Sequence, residues 1–310
     1  MSVATPPIAA PAPAPLAFWR LKGFPLIPVL ILLLIAFVAV FADMLAPYDP
    51  QVGSLARRFR PPAWQDGGSM AHLLGTDHVG RDILSRIIYG ARISLYVGGG
   101  AVVIGVTGWF IVGLAAVLVA GAVGTLLGIV SGYLGGWVDQ VIMRLTDTWL
   151  ALPALTFAIF LAAIVGPSEL NIIIILGLVY WTRYARVIRG EVLSLKEREF
   201  VNLAVVAGCS RRVIMWRHIL PNVINSAVVL ASLMLGVVIV TEAALSFLGV
   251  GVPPPKPAWG LMLADGKKGL MAGYWWVTLF PGLAIMLVVL AANLLGDWLR
   301  VKLDPQLRQL

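Results

Sequence analysis

Long stretches of this chain carry no charged side chain. Gly23–Ala42 runs for 20 residues, Thr148–Ser168 for 21, Ile219–Thr241 for 23 and Gly269–Gly296 for 28. A helix rises about 1.5 Å per residue, so these runs are long enough to cross a hydrocarbon layer of about 30 Å. The pattern predicts an all-α, polytopic membrane helix bundle of about six spans, near 24–43, 94–131, 148–166, 171–188, 226–248 and 276–296.

Two of these spans do not fit the simple pattern. In the fourth, only Leu170–Thr182 is uncharged, 13 residues. The helix can continue through Arg183, Arg186 and Arg189 if their guanidiniums snorkel to the inner headgroups. Around the second, Ile93–Val138 has no charge for 46 residues. Gly98–Ser131 alone would make a straight helix of about 51 Å. One long, tilted or glycine-broken helix is expected there. Two helices would add a crossing and reverse the orientation of everything downstream.

Composition narrows the class. Only 12% of the 310 residues are charged and the mean hydropathy is +0.92, too little charge to cover a soluble exterior. The net charge of +8 is not read as nucleic-acid affinity. The basic residues cluster at helix ends and in one loop, where orientation signals belong. With the N-terminus inside, 14 of the 23 basic residues are cytoplasmic and nine external, six of the nine being arginines of the long loop 44–92. Residues 1–23, rich in Ala and Pro, read as a disordered cytoplasmic tail rather than a cleaved signal peptide. The first span and external loop follow over 24–93, a transmembrane domain over 94–297 with a cytoplasmic loop at 190–222, and a cytoplasmic tail over 298–310. The single cysteine, Cys209, excludes an internal disulfide.

The loop holds the most informative stretch, "EFVNLAVVAGCSRRVIMWRHILPN" from Glu199 to Asn222. Glu199–Ala207 has apolar positions at helical spacing. Gly208 can take a positive φ and end that helix. Ser210 can cap a second short helix beginning at Arg211, and Pro221 closes the unit before the next span. Helix, tight turn, helix can lay an apolar ridge into a partner's groove. The same residues would also suit an amphipathic helix lying on the membrane surface.

The segment resembles the coupling loop of bacterial ABC importer permeases, whose pattern is Glu-Ala-Ala, three residues, Gly, nine residues, Ile, one residue, Leu-Pro. Here the glycine falls on Gly208 and the Leu-Pro on Leu220-Pro221. The triplet falls on Asn202-Leu203-Ala204, so only Ala204 of it survives, and the Ile position is His218. The acidic residue is missing from its usual place, and Glu199 is the candidate substitute. "LAPYDP" (45–50), "LLGTDHVGRDILSRIIYGARISL" (73–95), "GYLGGWVDQVIMRLTD" (132–147), "ALSFLGVGVPPPKPAWGLMLADG" (244–266), "WWVTLFPGLAIMLVVLAANLLGDWLR" (275–300) and "LDPQLR" (303–308) are similar to the C-type permease subunit of dipeptide, oligopeptide and nickel importers. The resemblance covers residue 24 to the C-terminus, with about 15 extra apolar residues in the second span.

The resemblance implies a type I importer permease fold in the bacterial inner membrane. It also implies a homologous second permease, two ATPase subunits that bind ATP and Mg²⁺, and an extracellular solute-binding protein. ATPase coupling would fall to Glu199, Asn202, Ala204, Gly208, His218, Leu220 and Pro221. Because that loop must face the cytoplasm, the extra residues of the second span are not expected to add a crossing. Membrane lipid, but no nucleic acid, is a further expected contact.

No phosphate-binding GxxxxGK[ST] sequence is present, so the chain is expected to be no enzyme itself and to hold no cofactor. His72, His78 and His218 are scattered and give no metal-ligand spacing. Asp77, Arg81 and Asp82 could form an external charge network or simply help pack the loop. Glu242 lies within the fifth span, where it either lines a solute path or fixes packing. Asn293, in the sixth, is expected to hydrogen-bond across helices. Asp147 is expected to open the third span near a helix N-terminus. An ion-gradient-driven transporter or channel is the alternative class. It predicts internal inverted repeats and intramembrane relays, and Glu242 is the one clear relay candidate.

Overall fold

The computed structural model describes residues 24–95 and 112–303. Among them the regular structure is helical, apart from isolated bridge residues such as Thr76 and Asp82. The helices are α1 (Leu26–Val40), α2 (Ala42–Leu45), α3 (Ile83–Leu95), α4 (Val112–Leu134), α5 (Gly136–Leu150), α6 (Ala154–Val165) and α7 (Glu169–Leu195). They continue with α8 (Glu199–Val206), α9 (Arg211–Val213), α10 (Leu220–Phe247), α11 (Trp259–Leu270) and α12 (Trp276–Leu303). Four helical stretches, Leu114–Leu134, α7, Arg211–Phe247 and α12, are long and apolar enough to cross a membrane. The bent pair α5–α6 is a candidate fifth, and α1 is a shorter apolar helix at the place of the first expected span.

The α4–α7 seam organises the bundle. Gly121, Gly124, Gly128 and Gly132 recur at three- and four-residue spacing on α4, facing Trp181, Tyr184, Ala185, Ile188 and Val192 of α7. Small residues let two backbones approach where lipid supplies no hydrophobic drive between helices. Tyr184, Ala185, Ile188 and Val192 are consequently fully buried. One apolar core joins α4, α6, α7 and α10. A second joins α1, α3, α11 and α12, and a third ties the end of α7 to α8 and the start of α10.

Several expectations are corrected. The third span is not one helix over 148–166: α5 and α6 meet at 90° around Ala151–Pro153. Proline removes an amide and disfavours helical geometry in the residue before it, which breaks the helix there. Asp147 therefore sits in the last turn of α5 instead of at a helix start. A carboxylate is unfavourable at that end, and Arg186 of α7 pairs with it. Pro221 does not close the coupling unit. It lies in the first turn of α10, and a π-helical stretch, Ile214–Ile219, joins α9 to α10, so helix runs unbroken from Arg211 to Phe247. The helix of the fourth span does continue past Arg183, to Leu195. The question of one or two helices in the overlong second span rests on residues 96–111, outside the described residues.

Candidate coupling and transport site

The segment from Glu199 to Asn222 folds from local signals. Glu199 lies in the first turn of α8, where a carboxylate suits the helix dipole. Gly208 has φ +81°, and a Cβ on it would meet nothing within 4 Å, so its conformation and not crowding favours glycine. The Ser210 hydroxyl accepts from the Val213 amide at 3.4 Å and caps α9.

The two faces of this unit differ. Val201, Ala204, Ile214 and Ile219 are buried with Ile188, Val192 and Leu195 of α7 and Val223 of α10. Facing away are Leu203 and Val206, 67% and 85% exposed, with Phe200, Val205, Val213 and Trp216 also open. Glu199 and Asn202 are exposed, three residues apart and so neighbours on the helix surface. The Asn202 amide reaches only the Glu197 carbonyl, at 3.5 Å. His218 and Leu220 are half-buried and Pro221 is exposed, while the Asn222 amide donates to the His218 carbonyl at 2.6 Å. Of the residues expected to couple, the structure thus groups Glu199, Asn202 and Gly208 on the open side and turns Ala204 inward.

On the loop side, the structure joins charges far apart in sequence. Asp77 Oδ2 accepts from Arg81 Nε at 2.7 Å and from Arg86 Nη1, while Arg81 Nη2 reaches Asp265 of α11 at 3.1 Å. Arg86 is 1% exposed. Burial opposes the charge on Asp77, but Arg86, Arg81 and the amides of Arg81 and Val79 outweigh it and hold the carboxyl below its usual range. Asp82 takes no part with Asp77; it binds His72 Nδ1 at 3.0 Å and the amide and hydroxyl of Ser85.

One histidine, His78, lies beside this network. Donor atoms of Asp77, His78 and Asp265 lie within 4.8 Å of one another. They do not fit a metal ion. Asp77 Oδ1 already accepts the Val79 and Arg81 amides, at 3.0 and 2.9 Å, and Oδ2 faces two guanidiniums. A divalent cation would have to displace those donors and sit against two positive charges.

Glu242 is 2% exposed. Ser246 donates to its Oε1 at 2.7 Å and accepts from the Val252 amide at 3.1 Å, which ties the end of α10 to the loop after it. Within this chain these contacts pack Glu242 against the loop that follows α10. Asn293 packs its side-chain amide against Gly236 of α10: a Cβ added there would lie 2.5 Å from Oδ1. Two ion pairs between α5 and α7 escaped the sequence reading. Arg189 holds Asp139 through Nε and Nη2 at 2.5 and 2.6 Å, and Arg186 holds Asp147. Their partners lie 50 and 39 residues away, beyond any local pattern.

Comparison with known proteins agrees with this architecture. Residues 124–309 match the family described as "Binding-protein-dependent transport system inner membrane component". The chain is 45% identical over 308 residues to the dipeptide transport system permease protein DppC of Escherichia coli (strain K12), covering 97% of each chain. It is 41% identical to the di/tripeptide transport system permease protein DppC of Pseudomonas aeruginosa (strain UCBPP-PA14), over 90% of this chain and 87% of that one. The glutathione transport system permease protein GsiD of Pectobacterium atrosepticum is also 41% identical, over 90% of this chain and 85% of that one. With its apolar helices and a family match over most of the bundle, the chain belongs to the binding-protein-dependent transport system inner membrane components, as a multi-pass permease subunit of an ABC importer.

Proposed function

We propose that this chain forms half of the translocation pathway for dipeptides or chemically similar small solutes, and that the α8–α9 segment couples it to ATPase subunits. The observation that carries the coupling reading is the apolar ridge of Leu203, Val205 and Val206, left open beside a glycine turn whose inner face is anchored in the core. A ridge of this kind suits a groove on a soluble partner. The cargo reading rests on relatives named for dipeptide, di/tripeptide and glutathione transport.

In this reading a homologous permease completes the pathway and two ATPase subunits bind ATP and Mg²⁺ below it. A solute-binding protein delivers cargo from outside, and both termini are cytoplasmic. Closure of the ATPases moves the α8–α9 turn. The unbroken helix from Arg211 to Phe247 carries that movement across the membrane as a lever, and the bundle rocks between two access states.

Gly208→Val tests the coupling. A β-branched residue at φ +81° is strained by about 1–2 kcal/mol, and it changes the angle between α8 and α9 without touching a span. The expected result is an inserted, stable permease that loses its ATPase subunits on purification or hydrolyses ATP without solute uptake. Normal ATP-dependent uptake with ATPases attached would assign the segment to the membrane surface instead.

A further inference from the structure

Arg183 differs from the two arginines that follow it on α7. Its two neighbours in register, Arg186 and Arg189, are held by Asp147 and Asp139 of α5. Arg183 is exposed and, among the described residues, has no carboxylate partner. Its guanidinium carbon lies 5.5 Å from the centroid of the Tyr180 ring. Tyr180 is one turn back toward Glu169, so the cation is held toward that end of α7. The Tyr180 hydroxyl is bonded to Thr241 Oγ1 at 2.7 Å, which fixes the ring beneath the cation.

Neighbouring helices give the depth. A Cβ on Gly124 of α4 would lie 2.5 Å from Tyr184 Cβ and 3.0 Å from the Ala185 amide, so Arg183 is near the level of Gly124. α4 carries no charge and continues ten residues beyond Gly124, to Leu134, about 15 Å of helix. On the other side, Thr241 is level with Tyr180, and α10 has no charge from Leu220 to Thr241. Arg183 is therefore level with uncharged stretches of α4 and α10, one turn before the Arg186–Asp147 pair. An ionised group there faces water or a protein interior rather than lipid.

The surrounding burial gives the direction. On its face of α7, Leu176, Val179 and Tyr180 are buried, whereas Arg183 and Val187 are exposed. The bundle is closed as far as Tyr180 and opens at Arg183. We propose that Arg183 lines the solute path and receives an anionic group of the cargo in transit, the terminal carboxylate in the case of a peptide. A guanidinium presents paired donors that match a carboxylate, and stacking on a ring leaves its N–H edge free. This assignment rests on the permease reading above and adds a carboxylate to the cargo it accepts.

The test uses the full transporter complex in proteoliposomes. With Cys209 replaced by Ser, Arg183→Cys should react with a membrane-impermeant sulfonate methanethiosulfonate from the cytoplasmic side in at least one nucleotide state. No labelling in any state would place the residue against lipid or protein and overturn the proposal. Separately, Arg183→Gln should lower dialanine uptake at least tenfold while the complex still co-purifies, and Arg183→Lys should restore part of it. Dialanine amide, which lacks the carboxylate, should move equally slowly through wild type and Arg183→Gln. Unchanged dialanine uptake, an equal loss for both cargos, or a complex that falls apart would each overturn the proposal, the last by assigning Arg183 to an ion pair between subunits. If wild type moves no dialanine, the dipeptide reading fails, and the labelling experiment still decides whether Arg183 lines a path.

Discussion

Gly124→Ala adds a single methyl group at the tightest point of the α4–α7 seam. That carbon would lie 2.2 Å from the Trp181 carbonyl oxygen, 2.5 Å from Tyr184 Cβ and 3.0 Å from the Ala185 amide nitrogen. Two of those three atoms are backbone, so no rotamer change relieves the contact. The helices must part locally by about 1 Å to restore ordinary separations of about 3.5 Å. Gly128 and Gly132 lie on the same seam, where added carbons would lie 2.8 Å from the Ala185 carbonyl and 2.9 Å from Val192 Cβ. Parting at Gly124 therefore loosens packing in the turns on either side, and a gap of 0.5–1 Å forfeits about a quarter to a half of each dispersion contact. Overpacking of this kind costs about 1–3 kcal/mol, and the backbone contacts put Gly124 near the upper end. Alanine's better helix propensity returns about 1 kcal/mol, leaving a net loss of about 2 kcal/mol. Gly190 supplies the control: it is within α7, with nothing within 4 Å of an added Cβ. Gly190→Ala should gain up to about 1 kcal/mol from propensity alone. Apparent melting temperatures of the purified complex in nanodiscs should thus separate two identical chemical changes by about 3 kcal/mol. Equal stability of the two variants would refute the close-packed seam.

Asp77→Asn should leave the buried Arg86 with only the more distant Asp265 carboxylate, at 3.5 Å, and cost about 3 kcal/mol, seen as faster proteolysis of the 46–82 segment. Because the Asp77 carboxyl is held below its usual value, its contribution is fully present above the unfolded pKa of about 3.9 and is lost as pH falls through the lower folded value. Protease resistance of that segment should therefore hold from pH 8 to 5 and fail only below about pH 4. Glu242→Gln keeps an oxygen to accept from Ser246, so stability and uptake should be retained. Glu242→Ala should lose about 1–3 kcal/mol. A stable Glu242→Gln complex with no uptake would return the residue to the solute path. Cys209 is the only thiol, so an impermeant thiol reagent should label inside-out vesicles and spare spheroplasts. Labelling from outside would invert the proposed topology.

What the sequence determined by itself was local. Uncharged runs fixed the membrane class and most of the helices, because lipid forces backbone polar groups to pair within a segment. Gly208, Ser210 and the apolar spacing of α8 specified a helix–turn–helix, because positive φ and capping are set within a few residues. Pro153 was visible too, but a single uncharged run concealed the 90° break it makes. Only the tertiary structure decided which charges meet. Arg81 finds Asp265 at a separation of 184 residues, and Arg189 finds Asp139 at 50. It also decided that Glu242 is enclosed, and that Arg183, unlike Arg186 and Arg189, stacks on a ring instead of pairing with a carboxylate of α5. Which face of a helix is covered depends on neighbours brought together by the fold. Periodicity along one segment cannot distinguish a covered face from an open one when all its surroundings are apolar.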